Sequence, residues 1–124
     1  MSEPDHSEIL RPRDRAEWRA WLERHHAEER TVWVAIAKKG STRPGVTYDE
    51  AVEEALAFGW IDGQARSLDE DAYIQRMSPR RPKSGWAPSN RARVARLTAE
   101  GRMAPAGLAA VEEAKADGWW DASD

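Results

Sequence analysis

Apolar positions recur along this chain with two periods, broken at regular intervals by glycine and proline. Trp18, Trp21, Leu22 and His25 follow one another at spacings of three and four, which predicts one buried helix face over about Asp14 to His25. Asp14 with Glu17 three residues on has the form of a capping box. Thr31-Val32-Trp33-Val34-Ala35-Ile36-Ala37 carries no charge and is rich in β-branched and aromatic residues, the mark of a covered strand. A loop follows over Lys38–Gly45. Thr47 and Glu50 then open a second helix, with Val52, Ala55, Leu56 and Tyr48 on its buried side and Gly59 as a left-handed cap. Its four acids, Asp49, Glu50, Glu53 and Glu54, read as a solvated face rather than a metal site.

The period then changes to two. Trp60–Arg66 and Ala72–Met77 predict a hairpin turning at Ser67–Asp71. Alternation puts Trp60, Asp62, Gln64 and Arg66 on one face of the first strand. Ser78–Asn90 holds three prolines and a glycine, which predicts an irregular segment. Ser89 or Asn90 is expected to cap a third helix reaching about Glu100, with Val94 and Leu97 inward and Gly101 at its end. Pro105 begins a fourth, through Leu108, Val111 and Ala114 to Gly118. Trp119 and Trp120 are expected to dock on the core, being too much apolar area to leave in water. The predicted fold is therefore α+β: about four helices packed on a small, mostly antiparallel sheet of about three strands. One domain spans 13–120, between a flexible polar arm at 1–12 and a tail at 121–124.

Composition narrows the chemistry. With no cysteine among 124 residues there is no disulfide, no thiolate nucleophile and no cysteine-based zinc site. His25 and His26 are adjacent, point about 100° apart on a helix and make a poor chelate, so no metal and no cofactor is expected. A mean hydropathy of -0.81 argues against membrane insertion. The opening Met1–His6 is acidic and has no apolar core of a secretory signal, so the expected location is cytoplasmic.

Charge is distributed unevenly. Ala72–Ala99 holds seven cations (Arg76, Arg80, Arg81, Lys83, Arg91, Arg93 and Arg96) and no acid, within a chain of net charge -3. Such a stretch either pairs with carboxylates elsewhere or faces an anion. Proline stiffens the loop carrying Arg80, Arg81 and Lys83, so these side chains lose less entropy on meeting an anion. The candidate ligand-binding residues are Trp60, Asp62, Arg80, Arg81, Lys83, Trp86 and Asn90.

Ala51-Val52-Glu53-Glu54-Ala55-Leu56-Ala57-Phe58-Gly59-Trp60-Ile61-Asp62-Gly63, Pro79-Arg80-Arg81-Pro82-Lys83-Ser84-Gly85-Trp86, Asn90 and Gly101-Arg102-Met103 together resemble the YdeI/OmpD-associated, or bacteriocin-protection, family. The resemblance runs over about Trp18 to Gly107. It implies a small, biochemically unassigned protein with a role in protection against bacteriocins or antimicrobial peptides, and it supplies no catalytic residues.

Three functions follow from the residues. The first is a binding module for a nucleotide or single-stranded nucleic acid, with Arg80, Arg81 and Lys83 supplying charge, Trp60 and Trp86 stacking and Asn90 hydrogen bonding. The second is an enzyme using Asp62 as general base, with Arg80 or Arg81 holding an anionic substrate. It is the weaker reading, since a lone carboxylate is its only catalytic candidate. The third is a protection protein that meets a protein or cationic peptide through its acidic helix or its Trp119–Trp120 end.

Overall fold

The computed structural model describes residues 9–28, 30–81 and 85–120. Lys83, the first eight residues of the expected arm and the tail at 121–124 lie outside the described residues.

The elements run β1 (Ile9–Leu10), α1 (Arg15–His25), β2 (Val32–Ala37), α2 (Tyr48–Ala57), β3 (Trp60–Ser67), β4 (Ala72–Pro79), α3 (Pro88–Ala99) and α4 (Pro105–Ala116). The α+β class holds, and the sheet is corrected. It has four strands in the order β1-β2-β4-β3, and it is mixed. β1 runs parallel to β2, while β2–β4 and β4–β3 are antiparallel. The extra strand comes from Ile9 and Leu10, which alternation over two residues cannot announce. Ile9 is buried against the sheet, so the expected arm does not reach to residue 12.

Local signals account for the helix ends. Asp14 accepts from the Glu17 amide, and Thr47 and Glu50 close a full capping box. Gly59 follows α2 at φ 79°, where a side chain would be strained. The start of α3 differs from expectation. Ala87 stands at its N-cap with no side-chain bond, and Pro88, with its fixed φ and missing N–H, begins the helix before Ser89 or Asn90. Ser78 and Pro79, expected to be irregular, extend β4.

Two hydrophobic clusters meet at α2. One joins Trp18, Leu22, Val34, Ile36, Trp60 and Met77 between the sheet, α1 and α2. The other joins Val52, Leu56, Trp86, Val94, Leu97 and Val111 between α2, α3 and α4. Trp119 and Trp120 pack against this second cluster, as docking required. Because α2 is packed on both sides, Ala51–Phe58 are all buried. The expected solvated acidic face is therefore corrected. Glu54 is 0% exposed and Glu53 6% exposed. At the open end of the same helix Tyr48, expected inward, is exposed.

Arginines from three other places answer those acids. Arg15 bonds Glu54 at 2.6 and 2.8 Å and Glu53 at 2.9 Å. Arg19 bonds Glu54 at 2.9 Å, Arg102 bonds it at 2.7 Å, and Arg96 bonds Glu53. Burial alone would push the Glu53 carboxyl up, but the bonds from Arg96 and Arg15 outweigh it and hold it below its ordinary value. The knot ties α1, α3 and the α3–α4 joint to the central helix.

Candidate functional site

The segment around Arg80 is positioned by the strand pair. The Arg80 amide donates to the Gly59 carbonyl at 3.0 Å, which fixes the chain just beyond β4 against the end of α2. Its guanidinium carbon lies 3.8 Å from the Trp86 ring centroid, and Nη1 donates to the Gly85 carbonyl at 2.9 Å. Nε and Nη2 are buried and have no hydrogen-bond partner among the described residues. These two nitrogens form the edge with which a guanidinium grips a carboxylate or phosphate with two parallel bonds. Burial pulls the Arg80 pKa down to about 10, against an opposing pull from Asp62.

Asp62 is the acid of this region. It accepts from the Tyr48 hydroxyl at 2.9 Å. The Tyr48 phenol is pushed up to about 12, first by burial and then by that bond, with Arg93 acting the other way. Tyr73 is raised by burial and by the same carboxylate. Asp62 thus sits among two phenols and a guanidinium. Tyr48 is the residue that sequence reasoning missed: it was read as a packing residue, and only the fold brings it to a strand fourteen positions away. Asn90 accepts from Arg93 at 3.3 Å, and Arg93 also bonds Asp49 at 2.8 Å.

The other expected contributors are placed differently. Trp60 and Trp86 are each 1% exposed and offer no free ring face for stacking. Trp60 stands edge-on to Trp21, and its Nε1 donates to the His26 carbonyl at 3.3 Å. Trp86 contacts Arg80 and the Trp120 ring, whose centroid is 5.2 Å away. Arg81 is exposed. The expected common face of Trp60, Asp62, Gln64 and Arg66 is split. The β3–β4 register shifts between Asp62 and Ala65, so Asp62 pairs with Met77 while Arg66 pairs with Ile74, on the opposite face. An irregularity of one residue reverses every later side chain.

A cavity of 280 Å³ lies elsewhere, lined by Arg11, Arg43, Asp69 and Asp71 over Ala35, Ala37 and Ala72. Most of its charge is already used. Arg43 pairs with Asp71 at 3.1 Å, and Asp69 accepts from the Asp71 and Ala72 amides to cap the β3–β4 turn. Among the described residues no group of three or more His, Asp or Glu could hold a metal ion. Among them, too, no helix is long and apolar enough to cross a membrane.

Residues 10–110 match the family described as Domain of unknown function (DUF8412). The chain belongs to that family. The DUF8412 match takes in the whole sheet except Ile9, the α2 knot and every residue around Arg80. No curated protein and no solved structure matches the chain.

Proposed function

We propose that this DUF8412 protein is a binding module for an anionic ligand, held at Arg80 through a phosphate or carboxylate group. The observation that carries the reading is the buried Nε–Nη2 edge of Arg80, which has no acceptor. A charged donor left unpaired inside a protein costs about 1–3 kcal/mol or more, a cost that an oxyanion would remove. The Gly85 carbonyl and the Trp86 ring hold the guanidinium in place, so little ordering is left for the ligand to induce. A nucleotide fits through its phosphate; base stacking on Trp60 or Trp86 drops out of the reading, since both rings are covered.

The enzyme reading keeps Asp62 as base, and Tyr48 already occupies one of its oxygens. The protection reading through a cationic peptide loses two of its acids, because Glu53 and Glu54 are committed to arginines. The resemblance to the YdeI/OmpD-associated family stays within this proposal as a setting, bacteriocin protection, and adds no residue role.

The test is an indole NMR titration of the full chain with inorganic phosphate, acetate and a nucleoside monophosphate. Salt-sensitive shifts of the Trp86 and Trp120 signals are expected in the wild type and in Arg81→Met, and none in Arg80→Met. Flat spectra of the wild type with all three anions, or equal shifts in Arg80→Met, would sink the proposal.

A further inference from the structure

The sheet has a second face, to which neither hydrophobic cluster contributes a residue. The β2–β4 register places Trp33 opposite Arg76, Ala35 opposite Ile74 and Ala37 opposite Ala72 on that face. Past the irregularity in β3, Arg66 joins them as the partner of Ile74. The Arg66 guanidinium carbon lies 5.9 Å from the Trp33 ring centroid. Arg76 is laid across Gly63, where an added Cβ would come within 3.3 Å of its Nε. The missing side chain at Gly63 is what lets Arg76 lie flat on the sheet. Neither Arg66 nor Arg76 pairs with a carboxylate among the described residues, and the Nε of each is buried without a partner.

Beside this group the face sinks. Ala35, Ala37 and Ala72 are too small to fill their positions, and they floor the 280 Å³ cavity, whose walls carry Arg11, Asp69 and the Arg43–Asp71 pair. Residues two apart on a strand are about 6.8 Å apart. The Trp33 ring and the hollow over Ala35 are therefore neighbouring stations along one strand.

The two unpaired cations require an anionic occupant. A second copy docked face to face would set Arg66 and Arg76 against themselves. An acidic protein segment would satisfy the arginines and leave the indole and the hollow unused. A strand of unpaired nucleotides uses all three, since phosphates take the arginines and bases take flat or concave apolar surface. Ile9, beside Trp33, and Ile74, beside Ala35, are themselves buried, so the surface on offer is that of Trp33, the arginines and the hollow. We infer that this second face binds single-stranded nucleic acid, with phosphates on Arg66 and Arg76, one base against Trp33 and the next in the alanine-floored hollow. The inference goes beyond the Arg80 site and does not rest on it.

Fluorescence anisotropy of a labelled oligothymidylate of about ten nucleotides, added to the full chain, tests it. Two phosphate contacts predict binding that weakens about tenfold between about 50 and about 200 mM salt. In the double variant Arg66→Gln, Arg76→Gln the affinity is expected to fall at least about tenfold and the salt dependence to flatten. Arg24→Gln, at an exposed position of α1, is expected to bind within about twofold of the wild type, since it lies outside both proposed sites. The Trp33 indole signal, assigned by its loss in Trp33→Phe, is expected to shift with the oligonucleotide in the wild type. That shift decides the matter should the double variant unfold. No binding by the wild type, a still Trp33 signal, undiminished binding by a folded double variant, or loss of binding in Arg24→Gln would each overturn the inference. Equal competition by polyglutamate would overturn it too, by showing a surface indifferent to bases.

Discussion

The α2 knot and the β3–β4 side of the molecule handle arginine in opposite ways. In the knot Arg15, Arg19, Arg96 and Arg102 converge on two buried carboxylates, and each makes at least one direct bond to them. On the strand side Arg66 and Arg76 each keep one buried nitrogen, and Arg80 two, with no acceptor among the described residues. The same residue type thus does two jobs, and burial alone does not tell them apart. What separates them is whether the fold delivers a carboxylate to the same place. Where it does, the charge belongs to stability. Where it does not, the charge has a cost within the free protein, and something outside the chain can relieve it.

The largest test of this contrast is a pair of substitutions read by urea unfolding at neutral pH. Glu54→Ala strands three arginines around an emptied core position and is expected to cost about 3 kcal/mol or more. Arg80→Met keeps the packing over Trp86 and removes an unsatisfied charge, so it is expected to change stability by less than about 1 kcal/mol. Similar losses for both would erase the distinction.

Acid sharpens it next. Glu53 has a lowered pKa in the folded chain. Its contribution is therefore complete above the unfolded value of about 4.3 and is lost as pH falls through the lowered folded value. Thermal melts are expected to show the wild type losing more stability than Glu53→Gln over that acid range. Parallel losses would mean that the knot does not carry the acid sensitivity.

Alkali probes the other side. The raised phenol of Tyr48 contributes stability that is complete below about 10, its ordinary value, and lost as pH rises through about 12. Phenolate absorbance is expected to place its ionisation near 12 in the wild type and part-way back toward the ordinary value in Asp62→Asn. An unchanged midpoint would show that burial acts without the carboxylate. The smallest expected effect is that of Gly63→Ala, which crowds Arg76 at its Nε. A stability change under about 1 kcal/mol is expected, with a displaced Arg76 Nε proton signal. A larger cost would show that the glycine serves the backbone of β3 rather than Arg76.

Much of the fold was legible because its signals are local. The Thr47–Glu50 box, Gly59, Pro105 and the alternation in β2 each need only a few neighbouring residues. What escaped depends on contacts distant in sequence. Glu53 and Glu54 have the spacing of a wet helix face, and only the arrival of α3 and α4 on the far side of α2 turns them inward. Strict alternation through β3 assigned Arg66 to the face of Asp62, and a single shift in register moved it across the sheet. For the candidate site, the basic stretch was visible in the sequence, but its cations could not be divided. Arg93 and Arg96 found carboxylates at Asp49 and Glu53, whereas Arg76 and Arg80 did not. The two site tryptophans were legible as important and misread in role, since an indole that seals a core and one that stacks a ligand look alike in one dimension.

The strand order carries a consequence for how the chain assembles. β2 is made early, yet its antiparallel partner is β4, which follows only after α2 and β3. The hairpin of β3 and β4 closes over a short turn and can form within about 1–10 μs on its own. β2 has no such local partner and must wait until roughly two-thirds of the chain has been synthesised. During translation it is an uncharged apolar strand whose β4 edge stays open, a state prone to pairing with the wrong molecule. The timing of β4's emergence, rather than the strength of any contact in the finished fold, then sets how long that exposure lasts.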